Sequence, residues 1–162
     1  QGIARGEKMD LILQKAAELG VSNIVPLWSQ RSEVKLDEAR AAKRLAHWRG
    51  VVAAACEQSG RARVPGVAAP VALADALRAL PDGGVRLILD PAGEHRLATL
   101  AVPDDASLVL AVGPEGGWSP QDRDTLREFG FRGLRLGPRV LRTETAGLAA
   151  IAALQARLGD LG

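Results

Sequence analysis

Tyrosine is absent from this chain, and Phe, Trp and Tyr together supply only 3% of its residues. A protein that reads single-stranded RNA by stacking bases on a sheet needs surface aromatics, which this chain can hardly provide. The core must be aliphatic. Cys56 is the single cysteine, which excludes an internal disulfide. It lies on the apolar side of a helical stretch and reads as a small core residue. His47 and His95 stand apart from each other and from Cys56, with no pair at ligand spacing, so no metal is expected. His47 reads as a helix-surface residue. G-x-S-x-G is missing, as are G-x-G-x-x-G after the first strand and the G-x-x-x-x-G-K-[ST] phosphate loop. An esterase elbow, a Rossmann dehydrogenase and a P-loop enzyme are therefore disfavoured. The sequence has no secretory leader pattern and no apolar run long enough to span a bilayer. A soluble, cytoplasmic protein with no membrane partner is expected.

Charge of one sign is also in short supply. The formal net charge is +2 over 162 residues, too small for a dedicated nucleic-acid-binding tail. Any basic face must be local, and arginine, whose planar fork suits phosphate, dominates the cations. Arg31, Arg61, Arg63, Arg139 and Arg142 are the candidates. Against these shortages stands a hydrophobic fraction of 47%, enough for a sizeable core in one ordinary domain. The chain begins at Gln1 rather than at a methionine, which suggests a fragment from which an upstream domain is missing.

Periodicity predicts a helix over Glu7–Leu19 closed by Gly20, with Met9, Ile12, Ala16 and Leu19 on one face. Val21–Trp28 reads as a strand made irregular by Pro26. Gln30–Leu36 is a polar loop, and Asp37 caps a long helix to Ser59 whose buried stripe holds Leu45, Trp48, Val52 and Ala55. Gly60–Pro70 reads as a linker-like crossing. Leu73–Leu80 is a short helix, Val85–Leu89 a buried strand, Glu94–Leu100 a short helix and Ser107–Val112 another strand. Ser119 caps a helix to Phe129, with Pro120 in its first turn and Asp122 reaching back. Gly133–Leu136 is a strand and Glu144–Leu158 the last helix. Helices alternating with strands that are apolar on both faces imply an α/β fold: a parallel sheet with helices on both faces. Trp28 and Trp48 are expected in the core, and Trp118 less firmly so.

Ligands on such sheets bind beyond the carboxyl ends of the strands. Three loops lie there: Asp90-Pro91, Gly113–Trp118 and Gly137–Thr143. Glycines in the second and third let backbone approach a ligand closely. The third adds Arg139, Arg142, Thr143 and, just beyond, Glu144. Without a lysine, the Gly113 turn is a poor triphosphate cradle but can wrap an uncharged or zwitterionic ligand.

These residues resemble a known family. Gln14-Lys15-Ala16-Ala17-Glu18-Leu19-Gly20-Val21, Glu57-Gln58-Ser59-Gly60-Arg61 with Val64-Pro65, Gly113-Pro114-Glu115-Gly116-Gly117 and Leu136-Gly137-Pro138-Arg139-Val140-Leu141-Arg142-Thr143-Glu144-Thr145-Ala146 occur in the order and spacing of the RsmE family, SPOUT-class methyltransferases of 16S ribosomal RNA. Pro26 and Arg31-Ser32 fit the same spacing. Two positions depart from the pattern: Trp118 stands where Phe is common, and Asp122 where Glu is common.

The resemblance implies a single SPOUT methyltransferase domain over residues 1–162 with a C-terminal deep trefoil knot, an exception to ordinary chain connection. It implies an N-terminal PUA-like RNA-binding domain that this chain lacks, a homodimer, and S-adenosyl-L-methionine held by Leu89, Val112, Gly113, Pro114, Glu115, Gly116, Gly117, Leu136, Gly137, Val140, Leu141 and Thr143. The implied reaction is methyl transfer to N3 of a uridine in 16S rRNA, with the small ribosomal subunit as partner. Since the sulfonium methyl is already electrophilic, the protein's task is alignment, which can supply roughly 7–11 kcal/mol of the barrier. Glu144 is the candidate for orienting or accepting the imide proton, although it reads equally well as a helix-start carboxylate. Arg142 and Arg139 are candidates for stabilising charge on the uracil oxygens. Glu115 reads as a brace for the cofactor loop. Arg31, Arg61 and Arg63 are candidates for RNA phosphate contact, so Arg61→Ala is expected to weaken RNA binding and lower its salt slope. Two alternatives stay open: a SPOUT methyltransferase for another RNA such as tRNA, and a non-catalytic nucleotide-binding module.

Overall fold

A computed structural model describes residues 1–34, 36–103 and 106–162; Lys35, within the expected Gln30–Leu36 loop, lies outside the described residues. Helix α1 (Glu7–Glu18) ends before Gly20, whose φ is +90°. Next come β1 (Asn23–Ile24), β2 (Leu27–Trp28) and α2 (Glu38–Ser59), which Asp37 caps by accepting the Arg40 N–H. Strands β3 (Gly66–Val67) and β4 (Val71–Ala72) lead into α3 (Leu73–Arg78). The second half contains β5 (Val85–Leu89), β6 (His95–Arg96), β7 (Leu108–Ala111), α4 (Pro120–Glu128), β8 (Arg132–Arg135) and α5 (Thr143–Leu158).

The main sheet runs β6-β8-β5-β7, all parallel. The smaller pairs β1–β3 and β2–β4 are also parallel. Residues 1–3 join the two parts. The Gly2 N–H donates to the Val112 carbonyl just past β7 at 2.8 Å, and the Leu27 N–H donates to the Gln1 carbonyl at 2.9 Å. Pro26 has no N–H to give a ladder, so the expected Val21–Trp28 strand breaks there into β1 and β2. The expected linker over Gly60–Pro70 contains β3, which pairs with β1. The expected helix over Glu94–Leu100 is not formed. His95–Arg96 pair with β8 instead, and only Leu97–Thr99 make a 3-10 turn.

Strand alternation sorts the core onto two faces. Ile88, with Ala111, packs against Leu73, Leu77 and Leu126 of α3 and α4. Leu87, Leu89 and Val112 face the other way, onto Ala150 and Leu154 of α5. Helices therefore cover both faces of a parallel sheet. A third cluster packs α1 on α2 around Met9, Leu13, Trp48 and Val52. Trp48 and Trp118 are buried and Trp28 is partly exposed, which reverses the expected ranking of Trp28 and Trp118.

One connection controls how the strands lie. Leu89 of β5 and His95 of β6 both register with Leu134, from opposite edges of β8. Residues 90–94 therefore cross from one side of β8 to the other. The approach is close: a Cβ on Gly93 would lie 2.6 Å from the Gly133 carbonyl carbon. The Glu94 carboxylate then accepts the Gly133 N–H at 3.1 Å.

Candidate functional site

The carboxyl ends of β5, β7 and β8 open onto one cavity of about 350 Å³. After β7, the Pro114 carbonyl accepts the Gly117 N–H at 2.8 Å, and Gly117 takes φ +66°, which closes a tight turn. Gly116 leaves room for Arg31, whose guanidinium donates to the Gly116 carbonyl at 3.2 Å. After β8, Gly137 at φ +119° starts the second loop. The two loops are tied directly, because the buried Thr143 hydroxyl donates to the Gly113 carbonyl.

The loop carboxylate of Glu115 is held from several sides. It accepts the Arg5 backbone N–H at 2.9 Å and lies 3.8 Å from the Lys8 ammonium. Burial pushes its carboxyl up, but the Arg5 N–H, its own backbone N–H and the Lys8 and Arg5 charges outweigh that and hold it below the ordinary value. Deeper in, Arg123 Nε donates to Asp90 Oδ2 at 2.7 Å, and both residues line the cavity. At the mouth, Arg139 and Arg142 are exposed, and no ion-pair partner is found for either among the described residues.

The residues expected around a cofactor gather here: Leu89, Val112, Gly113, Pro114, Glu115, Gly116, Gly117, Leu136, Gly137, Val140, Leu141 and Thr143 all line this cavity. Arg31, Arg139 and Arg142 line it too. Glu144 does not. Its Oε1 lies 3.7 Å from Lys8 and its Oε2 is buried without a hydrogen-bond partner, so it faces α1 rather than the cavity. Arg61 and Arg63 are also elsewhere. The Arg61 guanidinium donates to the carbonyls of Ala17, Val21 and Gly20, at 2.6, 3.0 and 3.5 Å. Its fork is engaged at the end of α1, away from the cavity. Arg63 is exposed, and its carbonyl faces the Cys56 thiol at 3.8 Å. His47 is exposed and pairs with Asp10, as a helix-surface residue should.

Sequence reasoning missed Lys8, which stands between Glu115 and Glu144, and the cavity-lining residues Arg123, Leu134 and Arg135. A cation in the first turn of α4, against the helix dipole, was the available hint for Arg123. Among the described residues no group of His, Cys, Asp and Glu is arranged to hold a metal ion, and no helix is long and apolar enough to cross a membrane.

The chain matches the RNA methyltransferase domain family over residues 1–155. It is 35% identical to the ribosomal RNA small subunit methyltransferase E of Buchnera aphidicola, an alignment covering 99% of this chain and 65% of that protein. The fold is similar to the crystal structure of a ribosomal RNA small subunit methyltransferase E from Neisseria gonorrhoeae bound to S-adenosyl methionine. There the TM-score is 0.92 and the identity 45%, over 100% of this chain and 66% of that one. It is also similar to a putative methyltransferase from Legionella pneumophila in complex with bound SAM, with TM-score 0.91 and 41% identity over 97% of this chain and 64% of that one. The chain thus spans about two thirds of the length of these relatives.

Proposed function

The chain belongs to the RNA methyltransferase domain family, and from that premise we propose that it uses S-adenosyl-L-methionine to methylate N3 of a uridine in the 16S RNA of the small ribosomal subunit. The observation that carries this reading is the convergence of two glycine loops on one cavity. Its volume, about 350 Å³, lies within the range of ordinary ligand sites, roughly 300–1,000 Å³. The residues present fit such a donor by kind. Glycine backbone at 113, 116, 117 and 137 admits close approach, Leu89, Val112, Leu134 and Leu136 offer apolar surface for a ring, and Asp90, Arg123, Arg139 and Arg142 add charge. The relatives solved with this cofactor support the same assignment.

When bound, the cofactor supplies an electrophilic methyl group. The chain's own contribution is alignment and charge. Arg142 and Arg139 stand at the mouth as forked donors for the uracil oxygens, where negative charge grows as the imide proton leaves. Arg31 adds a cation beside the first loop, suited to RNA phosphate. Glu144 is set aside as the proton acceptor, because it faces Lys8. It holds the start of α5 instead. Glu115 braces the first loop through Arg5 and Lys8.

Three further parts of the reading follow the family resemblance. Residues 1–162 act as one SPOUT domain that works with a separate PUA-like RNA-binding domain in the cytoplasm. The passage of residues 90–94 across β8 supports a C-terminal knot. The exposed Val140 beside the cavity, 79% accessible, supports a homodimer, and sedimentation at rising concentration should show the dimer.

The central test is calorimetric titration with S-adenosylhomocysteine and with ATP, followed by methyl transfer to small subunits and to tRNA with mass analysis of the modified uridine. Cofactor binding and label at N3 of the small-subunit RNA are expected. Preference for ATP would overturn the methyltransferase reading, and label on tRNA alone would overturn the substrate.

A further inference from the structure

We infer that Asp90 and Arg123 form a receptor for the zwitterionic amino-acid end of the cofactor, with the Arg123 guanidinium taking its carboxylate. The inference rests on the cofactor reading of the cavity and deepens it.

Asp90 sits at the carboxyl end of β5 and is only 7% exposed. A carboxylate so placed must be well partnered. Its Oδ1 accepts the Ala92 N–H at 3.0 Å, and its Oδ2 accepts Arg123 Nε–H at 2.7 Å. The carboxylate is therefore fixed, and it fixes the guanidinium through Nε alone. Among the described residues neither terminal nitrogen of Arg123 has a partner. Arginine has five N–H donors, so four remain, on a side chain that lines the cavity and is 31% exposed.

Arg123 is also in an unfavourable place for a helix. It follows the Ser119 cap and Pro120 in the first turn of α4, where the dipole disfavours a cation. Asp90 offsets that cost, but an apolar residue would incur none. The pairing thus makes most sense as a device for presenting the fork to a ligand.

Charge selects the ligand. Asp90 and Arg123 cancel locally, which suits a polyanion poorly. The exposed Arg139 and Arg142 have no such acid and suit RNA better. A ligand group carrying both signs matches a fixed Asp–Arg couple. An α-carboxylate takes the free guanidinium donors, and an α-ammonium takes lone pairs that Asp90 has left. Of the two ends of an S-adenosyl amino acid, only the amino-acid end has this pattern.

The test removes that end from the ligand. S-adenosylhomocysteine carries the amino acid, and 5′-methylthioadenosine keeps the adenosyl thioether without it. Both are titrated into the chain and into Arg123→Gln, Arg123→Lys and Asp90→Asn. Arg123→Gln should weaken S-adenosylhomocysteine about tenfold or more while methylthioadenosine stays within about twofold, which also reports an intact cavity. Arg123→Lys should fall between, because a point charge cannot hold both partners with a fork. Asp90→Asn should shift in the same sense. Equal losses for both ligands would mean that the pair only props the cavity open, and unchanged S-adenosylhomocysteine binding would mean no contact; either overturns the assignment alone. If the unaltered chain bound neither ligand, the cofactor reading itself would fall, and this inference with it.

Discussion

Glu115 shows how a single side chain on a binding loop can be tuned by its surroundings. Its carboxyl titrates below the ordinary value of 4.5, so its ionised form favours the folded chain. That contribution is fully present above the ordinary value and is lost as pH falls through the depressed one. Thermal melts between about pH 6 and about pH 3 should therefore show an acid limb to which Glu115 contributes, and Glu115→Gln should make it shallower. An unchanged limb would remove the loop-bracing role. Arg61 makes the opposite point. Its residue type suggested phosphate, yet its fork closes three carbonyls at the end of α1. Arg61→Ala should cost on the order of 1 kcal/mol of stability, because partly buried carbonyls are left short of a donor. Urea titration measures this, and a stability within error of the parent would restore the arginine to the RNA face.

At the scale of elements, the two helices that frame the cavity start in different ways. Helix α4 has a complete capping box: Ser119 accepts the Asp122 N–H, and Asp122 accepts the Ser119 N–H, each at 3.0 Å. Ser119→Ala should cost about 1 kcal/mol, and because α4 carries Arg123 it should weaken S-adenosylhomocysteine more than methylthioadenosine. Helix α5 lacks a side-chain cap at Arg142 and is anchored instead by Thr143 on Gly113. Thr143→Val should loosen one loop from the other, visible as weaker cofactor binding with a smaller change in melting temperature. A loss confined to stability would detach that bond from ligand binding. The long helices and β5 were legible in the sequence because apolar spacing repeats over several turns or pleats. The Val21–Trp28 stretch that holds β1 and β2 was legible as a strand, whereas β3, β4 and β6 have two residues each, too few for any period to show. Only their partners make them strands.

For the molecule as a whole, the decisive feature is the crossing of residues 90–94 over β8. Gly93 and Gly133 meet there, and a Cβ on Gly93 would come within 2.6–2.8 Å of three Gly133 and Leu134 backbone atoms. Gly93→Ala should destabilise the chain by roughly 1–3 kcal/mol, as overpacking does. The same change at Gly130, where nothing lies within 4 Å but φ is +81°, should cost only local strain. Equal effects at the two sites would mean that the crossing is looser than described. The same connection sets β8 between β5 and β6 and so brings the second loop beside the first.

The sequence by itself determined the aliphatic core, the main helices, the parallel sheet and the identity of the glycine loops. All of these rest on local spacing, turn chemistry and composition. Tertiary structure alone decided which charges meet. Asp90 finds Arg123 across 33 residues, Lys8 stands between Glu115 and Glu144, and Arg61 turns inward to α1. The reason is physical: a charge's role follows from what lies within a few ångströms of it, and that neighbourhood exists only once distant segments have been packed together.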